Sequence, residues 1–188
     1  MKKIFGFIII ATMVGSVYVT EVSSSEKKNK QESQFPQSVL WGDETFTLTW
    51  RNYNTNFVIL EYLPKGHKTK NFKHMITIHI SSEKIKDAIK TFIEKTKPYR
   101  TEEARIFTND ETGEIMVDVL LFDKENDIVE HNLVKFVSLK KGKLLKVFFH
   151  TRLKLSEVKK NNKLMKTEIG DFLNERRGLL YEFQFPLP

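Results

Sequence analysis

Alternation of apolar and polar positions dominates the second half of the chain. Three runs rich in β-branched and aromatic residues follow one another at residues 114–122, 127–139 and 144–155. Short polar stretches at 123–127 and 140–143 separate them, and such connections make antiparallel neighbours, a β-meander. Upstream, residues 45–50 alternate strictly: Phe46, Leu48 and Trp50 face one way, Thr45, Thr47 and Thr49 the other. That pattern predicts a half-buried strand. A turn-rich stretch at 51–56 leads to a second strand at 57–63, stopped by Pro64 and Gly66. A third strand at 75–80 places Ile76, Ile78 and Ile80 on one face and Met75, Thr77 and His79 on the other. Residues 103–107 predict one more.

Within the meander Ile115, Val117, Val119 and Leu121 oppose Met116, Asp118, Leu120 and Phe122. In its last strand Leu145, Val147, Phe149, Thr151, Leu153 and Leu155 oppose Lys146, Phe148, His150, Arg152 and Lys154. One face is consistently apolar and the other mixed and largely polar, as in an antiparallel sheet covered on one side.

Two helices complete the pattern. Ile85, Ala88, Ile89, Phe92 and Ile93 recur at helical spacing, with Ser81 or Ser82 as the expected cap and Pro98 as the stop. Ser156 is the expected cap of a second helix, with Glu157 favourable at its start. Val158, Leu164, Met165, Ile169, Phe172 and Leu173 form its apolar stripe, and Gly178 its expected end. The tail at 179–188, rich in aromatic residues and proline, fits an extended strap or a short edge strand. The expected fold is α+β: an antiparallel sheet of about six or seven strands covered by two helices, forming a single domain at 39–188.

The first residues read differently. Met1-Lys2-Lys3 precedes an apolar run from Ile4 to Val19. A basic start and a run shorter than the ~20 apolar residues of a comfortable membrane span predict a secretory signal peptide at 1–19. An uncleaved anchor is the alternative. Residues 20–38 hold few sizeable apolar side chains, Val22 and Phe35, and are expected to be a disordered linker. The localisation this implies is periplasmic or secreted. The chain has no cysteine, which excludes disulfides, thiolate metal sites and lipid attachment through a cysteine. A net charge of +7 falls short of the dense basic footprint of a nucleic-acid binder, and export makes nucleic acid a poor partner. Attraction to acidic proteins or anionic surfaces is the better use of the charge.

The segment Glu61-Tyr62-Leu63-Pro64-Lys65-Gly66-His67, followed by Asn71-Phe72-Lys73-His74-Met75-Ile76-Thr77, resembles one in small exported bacterial proteins of unassigned function. There a Glu-Tyr-x-x-Pro-x-Gly strand end precedes an Asn-Trp-x-x-Met step, and Phe72 stands here in place of the tryptophan. The order of elements also resembles the Mog1/PsbP-like sandwich. That resemblance implies protein binding rather than catalysis, at the level of fold alone.

The candidate chemistry is sparse. His67, His74, His79, His131 and His150 show no metal-ligand spacing. His131 and His150 face each other across the last hairpin in one of its registers. Asp118, mid-strand between valines, needs a partner if covered, with Lys146 or Arg152 as candidates. Gly-x-Ser-x-Gly, Ser-x-x-Lys and phosphate-loop motifs are absent from the sequence. No catalytic residue, metal or cofactor is therefore assigned. Lys65, His67, Lys68, Lys70 and Lys73 crowd one loop with no acid among them. They read either as edge-protecting charge or as a docking rim for an acidic protein or an anionic envelope surface. The expectation is an exported, non-enzymatic interaction module of the bacterial envelope, in one specific form an immunity or inhibitor protein. The membrane is expected to be touched only by an uncleaved leader. The alternatives are a carrier of a small apolar ligand, lined by Phe92, Phe148, Phe149 and Trp50, and an envelope-polymer hydrolase.

Overall fold

The computed structural model describes residues 34–54, 56–160 and 174–187. Eight strands form one antiparallel sheet. They are β1 (Ser38–Trp41), β2 (Glu44–Tyr53), β3 (Phe57–Pro64), β4 (His74–Ser81), β5 (Arg105–Thr108), β6 (Ile115–Asp123), β7 (Ile128–Ser138) and β8 (Leu144–Lys154). The spatial order is β1-β2-β3-β4-β8-β7-β6-β5. Two meanders therefore meet along β4 and β8. Helix α1 (Ile85–Thr96) carries the chain from the middle of the sheet towards its far edge, helix α2 (Leu155–Lys160) follows β8, and residues 174–182 are helical.

This corrects the expected sheet of six or seven strands under two covering helices. The fold is dominated by an eight-stranded sheet, and α1 and α2 are both short. β1 has only four residues, too few for alternation to show. Nor is one face left to solvent. Lys146, His150 and Arg152, on the face predicted to be polar, are covered along with Phe148.

The front face carries Phe46, Leu60, Tyr62, Ile76, Ile78, Leu133, Val147 and Phe149, all buried. Trp41 on β1 stacks on Phe149 of β8 with ring centroids 4.3 Å apart. The two strands are four positions apart in the sheet, about 19 Å if it were flat. The sheet must curl towards this face, enclosing much of its own core. Leu180 and Phe185 close it, Phe183 packs on Trp41 at 5.2 Å, and Lys135 Nζ donates to the carbonyls of Tyr181 and Phe183. The tail is thus a strap and not an edge strand. Helix continues through Gly178 to residue 182, past the expected stop.

On the back face α1 lays its predicted stripe across β6, β7 and β8. Ala88 and Phe92 are buried there with Val117, Val119, Leu121, Val134, Phe136 and Phe148. Its N-cap is Lys84, without a side-chain cap. Ser81 instead donates to Glu83, and Ser82 accepts from Lys143. α2 likewise is not capped by Ser156. It starts at Leu155, whose N–H donates to the Asp127 carbonyl, and the Asp127 carboxylate receives both the N–H and the hydroxyl of Ser156.

One face assignment fails for a local reason. The register of β2 on β3 shifts between Leu48 and Trp50: Leu48 pairs with Tyr62, but Trp50 with Glu61. A β-bulge at that point moves every later side chain to the other face. Trp50 therefore leaves the face of Phe46 and Leu48 and is 42% exposed.

The predicted leader and most of the predicted linker lie outside the described residues, as do Leu164, Met165, Ile169, Phe172 and Leu173 of the second predicted stripe. The end of the linker stretch that is described belongs to the core. Phe35 is buried and stacks on Tyr53 and Phe185, and Tyr62 Oη donates to the Pro36 carbonyl at 3.0 Å. These contacts separate the two tryptophans in energy. Trp41→Ala should cost about 3–5 kcal/mol in urea unfolding, and Trp50→Ala only roughly 0.5 kcal/mol. Equal losses would contradict the bulge.

Candidate ligand cleft beneath the helix

Between α1 and the back face lies a cleft of about 430 Å³, within the range of small-molecule sites. Ala88 and Phe92 form its roof, and Leu121, Phe136 and Phe148 its apolar floor. Ala88 leaves room where a larger residue on the same stripe would meet the sheet. Around the mouth stand Ser81, Glu83, Lys95 and Lys146.

The polar lining is specific. His79 on β4 pairs in register with Lys146 on β8, so their side chains are neighbours on this face. His79 is 6% exposed. Burial, with the nearby charges of Lys146 and His150, pushes its imidazole down to about 3, so it is neutral at ordinary pH. Its Nε2 has no hydrogen-bond partner among the described residues. Lys146 Nζ forms an ion pair with Glu83, which also accepts from Ser81 Oγ at 2.7 Å. Burial raises Glu83, but its bonds to Lys146 and Ser81 and the charges of Lys146 and Lys95 outweigh this and hold it below the usual carboxylate range.

Beside the cleft, the back face buries a second polar set. His150 Nε2 lies 3.1 Å from Thr77 Oγ1, and its Nδ1 3.3 Å from Glu130 Oε1. Asn132 Nδ2 donates to Glu130 Oε1 and Arg152 Nε to Glu130 Oε2, the latter at 2.6 Å. Burial raises Glu130, and His150 and Arg152 more than reverse this, taking it to about 2. Glu61 on the same face moves the other way: burial raises it, only partly opposed by His150. Hydroxyl, imidazole and carboxylate stand here in the order of a nucleophile–base–orienter relay. Thr77, however, is 1% exposed, so its hydroxyl is closed to any substrate in this structure. Phe72 helps to seal the set, with the Arg152 guanidinium 4.0 Å from its ring centre.

Asp118 is buried, but not with Lys146 or Arg152, which lie on the opposite face. Its partners are His131, whose Nε2 donates at 2.8 Å, and Arg177, whose Nε and Nη2 both bind Oδ2. Burial raises Asp118, and these partners overcome it to hold it low. His131 and His150 do not meet. His131 pairs with Thr151 and His150 with Asn132, so the two rings point to opposite faces. Among the described residues no group of three or more His, Asp or Glu side chains is placed to hold a metal ion.

Lys65, His67, Lys68, Lys70 and Lys73 are all exposed on the β3–β4 loop, and none of them lines the cleft. Of the lining residues expected from sequence, Phe92 and Phe148 are present. Phe149 belongs to the front core, and Trp50 is not among the lining residues. His79, Glu83 and Lys146 were not singled out for this site. Alternation puts His79 and Lys146 on the mixed faces of their strands, but only the β4–β8 register makes them neighbours.

A protein-family model matches residues 33–175. The chain belongs to this family. It is an uncharacterised family, so membership brings no activity with it. The matched span includes all eight strands, α1 and every lining residue of the cleft. No curated protein and no solved structure matches the chain, and nothing supports the expected likeness to the Mog1/PsbP-like sandwich.

His79 gives the fold a defined response to acid. The unfolded imidazole takes up a proton near 6.5 and the folded one near 3. The unfolded state therefore binds more protons between these values, and stability falls as pH drops through that window. From pH 7 to pH 5 this loss is on the order of 2 kcal/mol for His79. His79→Leu should remove it, which urea unfolding at the two pH values will measure. An unchanged pH dependence would contradict the assignment.

Proposed function

We propose that the protein is a non-enzymatic binding module whose site is the cleft beneath α1, taking a small, largely apolar molecule. The observation that carries this is the cleft itself: apolar residues of α1 above and of the sheet below, with His79, Ser81, Glu83, Lys95 and Lys146 among the polar groups of its lining. Such a site orients a ligand by its polar end and holds it by its apolar body. Binding fits the chemistry better than turnover. The relay of Thr77, His150 and Glu130 is shut away from solvent, and the mouth groups Ser81, Glu83 and Lys146 are engaged with one another. The basic, apolar start of the chain supports export and a role in the bacterial envelope. Among the described residues no helix is long and apolar enough to cross a membrane.

A second reading is carried by the β3–β4 loop. Lys65, His67, Lys68, Lys70 and Lys73 are all exposed, and buried Phe72 pins the loop to the domain. They form a rim suited to an acidic envelope protein, whether the cleft is filled or empty.

Each site has its own measurement. The neutral fluorophore N-phenylnaphthylamine should bind saturably, one molecule per chain, with enhanced emission. Thr91→Trp, at the exposed lip of the cleft, should weaken it at least about tenfold, or about 1.4 kcal/mol. Absence of saturable binding would sink the cleft as a site. For the loop, joint replacement of Lys65, Lys68 and Lys70 by glutamate should leave the melting temperature unchanged and abolish capture of an acidic protein from envelope extract. Undiminished capture would remove the rim from consideration.

A further inference from the structure

We infer that the ligand of this cleft is an amphipathic monocarboxylate, and that Glu83 is the built-in stand-in which it displaces from Lys146. The inference rests on the cleft being the binding site and adds the charge of the ligand to it.

Of the cations at the mouth of the cleft, Lys146 is set in the sheet and mostly covered. Lys146 pairs in register with His79 on one side and Phe136 on the other, and its side chain is 12% exposed. An ammonium so covered must have an anion beside it, because removing the partner of a buried charge is far costlier than exchanging it. Glu83 fills that place. It does so from the short stretch between β4 and α1, outside any strand or helix, and its own side chain is 35% exposed. The cation is therefore fixed in the sheet, whereas the anion comes from a connecting segment and has water as an alternative.

The surroundings suit a second carboxylate. Ser81 Oγ already donates to Glu83 and can donate to a replacement. Lys95 stands at the mouth and lowers Glu83 by its charge, so a carboxylate at this place has a second cation near it. His79 adjoins Lys146 in register, but its Nε2 is covered, so the ligand acid group is held by Lys146 and Ser81 in place of Glu83. Its apolar body would lie along Ala88, Phe92 and Phe148. A cationic ligand would meet Lys146 and Lys95, and a neutral one would leave the Lys146–Glu83 pair intact and gain only the apolar contacts.

The test is a matched series on the full chain: octanoate, octanol and octylamine, each displacing N-phenylnaphthylamine. Octanoate should bind about tenfold or more tightly than octanol, and octylamine more weakly than either. Glu83→Gln, which removes the competitor at a partly exposed position, should tighten octanoate several-fold and leave octanol unchanged. Lys146→Gln should bring octanoate to the level of octanol. If Glu83→Gln, which strips a covered cation of its anion, does not fold, Lys146→Gln decides the matter, and octanoate still bound more tightly than octanol by that variant overturns the assignment. Equal binding of octanoate and octanol, or octanoate unmoved by Glu83→Gln, overturns the carboxylate assignment while the cleft stands as a site. Failure of the fluorophore and all three probes to bind overturns both.

Discussion

The pairing of β4 with β8 holds the architecture together. Every other strand pair joins neighbours in sequence, and this one alone joins the two meanders. It is long, running from His74 opposite Thr151 to Ser81 opposite Leu144. Its register assigns residues to both faces at once. Ile76 with Phe149 and Ile78 with Val147 belong to the front core, while Thr77 with Phe148 and His79 with Lys146 belong to the back. A slip of one residue on either strand would exchange these sets. It would drive Lys146 and His150 into the aromatic front and empty the floor of the cleft. Aromatic packing on one side and ion pairing on the other therefore select the same register.

The back face divides into two regions with different physics. Under α1 it is apolar and incompletely filled. Under Phe72 it is polar, with Glu130 held by Arg152, His150 and Asn132. Glu61 and Glu130 shift in opposite directions although both lie near His150. Burial raises each, and only Glu130 has the hydrogen bonds of His150 and Arg152 to reverse it. None of this second set lines the cleft, whose own ionic group is the Lys146–Glu83 pair. On the front face, Asp118 with Arg177 and His131, and Lys135 with Glu114, perform a related task. They tie the C-terminal helical segment and strap onto the sheet with paired buried charges, an arrangement that tolerates burial only because each charge is matched.

Much of the strand content was legible in the sequence, because alternation over nine to eleven residues, as in β6, β7 and β8, leaves no other reading. The stripe of α1 was legible for the same reason. What escaped depends on tertiary structure. β1 is too short to alternate visibly. The bulge in β2 breaks the period at Thr49, where nothing in the local pattern marks it. The polar face was read as solvated because Lys146, His150, Arg152 and Asp118 look like surface residues until their partners are known. Those partners, Glu83, Glu130, His131 and Arg177, come from distant positions. Helix caps failed likewise: Ser81 and Ser156 have the right chemistry, but Glu83 and Asp127 engage them in other bonds. The cleft required two facts beyond local pattern, the seating of α1 and the register of β4 on β8.

The bulge in β2 also divides the two tryptophans of the chain between unlike surroundings. Trp41 is stacked against Phe149 and 2% exposed, whereas Trp50 is partly open to water. A buried indole emits to the blue of a hydrated one and is sheltered from dissolved quenchers. The intrinsic fluorescence of the protein is thus a sum of two separable signals, one from the interior of the curled sheet and one from its flank. Iodide would silence the second and leave the first as an internal gauge of whether the strap is seated.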